Sequence, residues 1–226
     1  NADAFSLHEI ALNSLKGLCA YAAHCDALGK MDDSINTFIQ EAHVKLSSSE
    51  HDMDGLFQLV MDIGEANVTV IQMLDQGHYD QLGEPTPTPV RKTAVEGKCI
   101  LVSGHDMADL HELLKQTEGK GIYVYTHGEM LPAHSYPKLK EFPHLVGNYG
   151  TAWQNQKFEF AAFPGPILVT TNYIQTPRRN YKDRVYTTDQ VAVDSFELFI
   201  KYKTMTLGPS LSMHWNSKDS HVQLSP

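Results

Sequence analysis

The first eighty residues carry apolar side chains at helical spacing. Leu7, Ile10, Ala11, Leu15, Leu18 and Ala22 recur every three or four positions, and that period predicts an amphipathic helix over residues 5–25. Asp32 or Asp33 is placed to cap a second helix carrying Ile35, Phe38, Ile39, Ala42 and Leu46. A third follows on Leu56, Val60, Ile63, Val70, Ile71 and Leu74, with Gly77 as its expected stop. Three helices with short joints predict a three-helix bundle. The pattern then breaks. Gly83, Pro85, Pro87 and Pro89 crowd the stretch from Leu82 to Val90, where proline removes backbone donors and blocks regular structure.

Beyond the prolines the period shortens. Cys99-Ile100-Leu101-Val102 is an apolar run of buried-strand type, followed by the turn Ser103-Gly104-His105-Asp106 and a helix marked by Met107, Leu110, Leu113 and Leu114. Ile122–Tyr125 reads as the next strand and 152–163 as another helix. Residues 166–172 read as a strand with its exit loop, and Arg184–Thr188 as one more strand. Strands alternating with helices predict a Rossmann-like parallel sheet. The expected organisation is a helical bundle over 1–82, a proline-rich linker over 83–95, a Rossmann-like α/β domain over 96–190 and a divergent tail over 191–226. Within the tail, Phe196, Leu198, Phe199 and Ile200 suit a short helix or strand, and 207–226 reads as extended.

The 226 residues suffice for one large domain or two small ones, and 42% apolar with 20% charged is globular composition. A formal charge of −9 argues against a broad phosphate-binding surface, so no nucleic-acid partner is expected. No apolar run reaches the ~18–20 residues of a transmembrane segment. No G-x-G-x-x-G follows a strand, so no dinucleotide is indicated. The chain opens on Asn1 without a signal pattern, which reads as a processed or clipped start. Three cysteines, Cys19, Cys25 and Cys99, form no C-x-x-C and suit free thiols in a reducing interior, either cytoplasm or an organelle such as a mitochondrion or plastid.

Parallel sheets gather ligands at the carboxyl ends of their strands. Three polar exits fall there: 103–106, 126–129 and 170–173. Imidazole and carboxylate suit iron or zinc, which makes His105, His127, Glu129 and His134 candidate ligands. The alternative on the residues alone is ordinary loop duty, with a His-Asp pair capping the next helix.

Several segments carry a resemblance. Gly97–Asp106 (GKCILVSGHD), Gly121–His134 (GIYVYTHGEMLPAH), His144–Gly150, Phe163–Leu168 and Tyr181–Thr188 (YKDRVYTT) resemble the hybrid-cluster protein (hydroxylamine reductase, prismane) family, across roughly residues 5–188. The short helical part resembles the subgroup lacking a second helix bundle. The resemblance implies an enzyme that reduces hydroxylamine and acts on related nitrogen oxides. It also implies a hybrid iron–sulfur–oxygen cluster held by one His, two Glu and several Cys, and a cubane-type iron–sulfur cluster on an N-terminal cysteine set. By position, His105 matches the His ligand and Glu129 the first Glu ligand. The next family ligand is a Cys directly after Thr170-Thr171-Asn172, where this chain has Tyr173. The other ligands belong to regions without a counterpart here, so no cofactor is expected on this chain alone. The expectation is a non-catalytic scaffold or accessory subunit with vestigial metal positions at His105, Glu129 and Tyr173. Its protein partner would bind the C-terminal tail or the face vacated by the missing domain. Two alternatives stay open: a fragment of an active hydroxylamine reductase whose other ligands come from outside the chain, and a small iron or zinc site on His105 and Glu129 with Tyr173 or His127.

Overall fold

The computed structural model describes residues 2–48, 52–171 and 173–188, together with the backbone of Leu198–Phe199. The expected extension over 207–226 lies outside these residues. The chain divides between Gln81 and Leu82 into two compact units.

The first unit is three helices: α1 (Ala2–Ala27), α2 (Asp33–Ser47) and α3 (Met53–Leu82). Asp32 is the cap of α2, accepting from the Ser34 amide at 2.7 Å. Ala11, Leu15 and Leu18 of α1, Ala42 of α2, and Ile63 and Val70 of α3 meet in one buried cluster. The helical period is thus satisfied by mutual burial. α3 does not stop at Gly77. A Cβ there would stand 3.0 Å from Leu28 Cδ1, so this glycine admits a close neighbour inside the helix. The helix ends instead before Gly83, whose φ of 84° is the left-handed conformation that closes helices.

The second unit is a six-stranded parallel sheet in the order β3-β2-β1-β4-β5-β6, and the α-then-α/β architecture is as the periods predicted. The strands are β1 (Lys98–Ser103), β2 (Ile122–His127), β3 (Leu145–Tyr149), β4 (Ile167–Val169), β5 (Val185–Thr188) and β6 (Leu198–Phe199). β6 falls inside the stretch expected to be tail. β3 was not legible as a strand, because Gly147 and Asn148 interrupt a short apolar run. The helices of this unit are α4 (Met107–Thr117), α5 (Pro137–Lys140) and α6 (Gln156–Ala162), and a 3-10 segment spans Gly128–Ser135.

Alternation along β1 builds the two cores. Ile100 and Val102 pack with Leu110, Leu113 and Leu114 of α4 on one face, while Cys99 and Leu101 pack with Phe160 and Phe163 on the other. The proline-rich segment has no regular structure, but it is tied to this unit: the Thr86 amide donates to Ser135 O at 3.0 Å and the Val95 amide to Tyr125 Oη at 2.7 Å.

This strand order reverses direction between β1 and β4. Chains leaving two adjacent strands to opposite sides open a crevice at their carboxyl ends, and that is where the polar exits meet.

Candidate functional site

Three exit loops converge at this crevice. His105 follows β1, Glu129 follows β2, and Thr171 and Tyr173 follow β4. Thr170 holds the two central exits together: its amide donates to Ser103 O at 2.9 Å, and its Oγ1 accepts from the Asp106 amide at 3.2 Å. Gly104 permits this approach with φ at 120°, and a Cβ there would lie 2.5 Å from Thr170 Oγ1. Asp106 caps α4 by accepting from the Asp109 amide at 2.9 Å.

The turn places the His105 ring between two partners. Nδ1 is 2.9 Å from Thr171 Oγ1, and Nε2 is hydrogen-bonded to the Glu129 carboxylate. Both side chains of the pair are exposed, 41% and 60%, so their attraction contributes at most about 1 kcal/mol to stability. Tyr173 sets its ring edge-on to His105, centroids 5.2 Å apart. A Cβ on Gly128 would lie 2.8 Å from the Tyr173 hydroxyl, so the phenol fills the space that glycine leaves. Burial pushes the Tyr173 phenol above its ordinary range and the Glu129 charge adds to this, against opposing hydrogen bonds with the Trp153 and Glu129 backbone. At neutral pH it is therefore a protonated phenol. The structure thus brings His105, Glu129 and Tyr173 together.

His127 stands beside Tyr173, ring centroids 6.5 Å apart, but both its ring nitrogens are engaged elsewhere, and His134 bonds Thr126. His127 is fully buried, with Nδ1 3.1 Å from Ser103 Oγ and Nε2 2.8 Å from Glu159 Oε2. Burial lowers its pKa, outweighing the Glu159 carboxylate. Burial alone would raise Glu159, but hydrogen bonds from Thr151 and His127 outweigh it and hold the carboxyl low. A neutral imidazole donating to a carboxylate fits both directions. His134 is buried beside Thr126, with Nε2 to Oγ1 at 2.8 Å. Among the described residues no group of three or more His, Cys, Asp or Glu side chains is placed to hold a metal ion.

Sequence reasoning missed the supports of this cluster. Gln156, wholly buried, clamps the Tyr173 loop: Nε2 donates to Tyr173 O at 2.8 Å and Oε1 accepts from the Gln175 amide at 3.0 Å. Ser103 and His127 are register partners across β1 and β2, a pairing that their matching places at the polar ends of two apolar runs foreshadow. Nothing local marks Gln156 or Glu159.

His134 makes the stability of the protein acid-sensitive. Burial pushes its pKa down to about 4, against a Gly147 backbone hydrogen bond that favours the charged ring. An unfolded chain takes up the proton near pH 6.5. The stabilisation from keeping the ring neutral is thus present above pH 6.5 and lost as pH falls toward 4, and His127 adds a loss of the same sign. Unfolding free energy from urea titrations should fall by about 3 kcal/mol more between pH 7 and pH 4 in the native sequence than in His134→Gln. Equal acid sensitivity in the two proteins would refute this assignment.

The architecture and the strand-end cluster define an α/β protein that presents imidazole, carboxylate and phenol at a topological switch point. Residues 1–205 match the Prismane/CO dehydrogenase family, and the chain belongs to that family. It is 51% identical over 191 residues to a hydroxylamine reductase of Thermodesulfovibrio yellowstonii, covering 84% of this chain and 35% of that protein. A hydroxylamine reductase of Rhodospirillum rubrum is 50% identical over 191 residues, with the same coverage of each. One from Moorella thermoacetica is 49% identical over 188 residues, 83% of this chain and 44% of its own length. The chain spans about a third of the length of most of these curated relatives. Among the described residues no helix is long and apolar enough to cross a membrane.

Proposed function

We propose that this chain is a non-catalytic scaffold or accessory subunit that keeps the frame of a hydroxylamine reductase without its iron–sulfur–oxygen chemistry. The observation that carries this reading is Tyr173, a protonated phenol seated against His105 where the family resemblance implies a cysteine. Iron–sulfur clusters are held by about four thiolate-type ligands. The α/β unit has one cysteine, Cys99. It lies four residues before the end of β1, roughly 13 Å along the strand. Its side chain packs in the apolar core beside Phe160 and Phe163, and burial pushes the thiol up to about 12. One imidazole, one carboxylate and one phenol do not fit a sulfur-bridged cluster.

The intact His105–Glu129 pair favours a second reading, a fragment of an active hydroxylamine reductase or nitrogen-oxide oxidoreductase whose remaining ligands come from outside this chain. Iron and acid-labile sulfide in protein isolated without oxygen separate the two. Neither should exceed trace levels in the native sequence. Tyr173→Cys alone should add no sulfide, because one added thiolate does not make up the set of about four that a cluster needs. Iron with sulfide in stable proportion in the native sequence would replace the scaffold reading with the fragment reading. Iron or zinc without sulfide would favour a small nitrogen–oxygen site.

A further inference from the structure

We propose that the segment over 84–95 is a removable cover for the free edge of β3, and that two copies of this chain join edge to edge once it is displaced. β3 ends the order of the sheet and, among the described residues, pairs only with β2. Its other edge is closed by the chain itself. The Asn148 amide donates out of the sheet, to Arg91 O at 3.0 Å. Lys92 adds its ammonium, donating to Asn148 Oδ1 at 2.6 Å and to Gly150 O at 3.0 Å. Earlier in the segment, Lys140 Nζ donates to Thr86 Oγ1 at 2.8 Å and to Thr88 Oγ1 at 3.2 Å.

The strand is shaped for this neighbour. A Cβ on Gly147 would stand 2.4 Å from Arg91 O and 3.2 Å from the Arg91 carbonyl carbon. Gly147 is not among the glycines with positive φ, so β3 could carry a side chain here if the segment were displaced. The segment lies outside any helix or strand and can leave without unravelling one. Nor can it serve as a fresh edge at Pro85, Pro87 and Pro89, since proline offers no amide.

Without the cover this edge is adhesive. Edge strands are blunted by charge, by proline or by a bulge. Leu145–Tyr149 carries neither charge nor proline, and its own guard is a register shift at Val146. A strand without charge sets no electrostatic bar against a second copy of itself. Two-fold pairing would give each Asn148 amide a carbonyl of the other copy in place of Arg91 O. The inference does not depend on what the strand-end cluster binds.

The test uses the full chain. Gly147→Ala with Lys92→Ala pushes the segment off its seat and removes its ammonium tether. Trypsin should then cut after Arg91 about tenfold faster than in the native sequence. Light scattering on a sizing column at about 100 μM should show a dimer for this variant and a monomer for the native chain. Adding Val146→Lys, which places a charge on the edge, should return the variant to a monomer. Lys92→Ala with Lys140→Ala cuts two tethers without touching the sheet, and should act in the same direction even if Gly147→Ala does not fold. A cooperative thermal transition checks folding in each case. Unchanged cutting after Arg91 in both variants would overturn the proposal. So would faster cutting with a monomer throughout, a dimer that Val146→Lys leaves intact, or a native chain as dimeric as the variants.

Discussion

Gly165→Ala is expected to abolish cooperative folding of the α/β unit. An alanine Cβ at this position would stand 2.2 Å from the Cys99 carbonyl oxygen and 3.1 Å from its carbon. Both are backbone atoms of β1, so no rotamer change relieves the contact. The glycine segment cannot retreat either, because the next residue's carbonyl, Pro166 O, accepts from the Leu101 amide at 3.0 Å. Moving it would break the register that pairs Leu101 with Ile167 at the centre of the sheet. The penalty should exceed about 4 kcal/mol, a large part of the total stability of an ordinary domain. Recovery of soluble Gly165→Ala with a sharp thermal transition within a few degrees of the native protein would sink this prediction.

The second large effect is at Arg184. Its guanidinium reaches back from the start of β5 to the end of α6. Nη1 donates to Phe163 O and, at 2.7 Å, to Gly165 O, while Nη2 donates to Phe160 O at 3.1 Å and reaches Ala161 O at 3.5 Å. The last carbonyls of a helix have no intrahelical partner, and here one planar fork serves them together with the turn into β4. A cation at a helix carboxyl end is also favoured by the dipole. Burial lowers the Arg184 pKa, yet a guanidinium stays charged at any ordinary pH. Arg184→Met keeps the stem and removes the fork, leaving carbonyls unsatisfied in a half-buried place. The expected loss is about 4 kcal/mol, read as a lower urea midpoint with unchanged slope. Arg184→Lys should recover less than half, since an ammonium cannot span these carbonyls at once. A loss below about 1 kcal/mol for Arg184→Met would show that water takes over the carbonyls.

The parts of this molecule that could be read from the sequence are those governed by local period. Three helices follow from repeats of three and four, and β1, β2 and β4 from unbroken apolar runs bounded by turns. His105 and Glu129 were legible for the same reason: each directly follows a run that ends in a sheet. Gly77 misled because a glycine that admits Leu28 and one that ends a helix look alike until the neighbour is known. The companions of the strand-end cluster were silent because their partners are distant. Gln156 answers a loop 17 residues away and Glu159 an imidazole 32 residues away, and neither spacing has a period. Which apolar positions of α3 are buried was equally hidden: exposed Phe57 and Met61 and buried Leu56 and Leu59 are the same kind of residue in the sequence.

The strand order has a consequence for the birth of the chain. β1 is central, and its neighbour β4 pairs with it through Ser103 and Val169, 66 positions apart. At ~5–20 residues per second, a ribosome needs roughly 3 to 13 s to supply that partner after β1 is made. The three helices can close over their own core during this interval. β1 and β2 meanwhile expose one bare edge of apolar strand, which is the template on which nascent chains pair wrongly. The crevice therefore cannot form until β4 arrives, with β5 and β6 added after it, and chaperone dependence during synthesis should peak before residue 169 emerges.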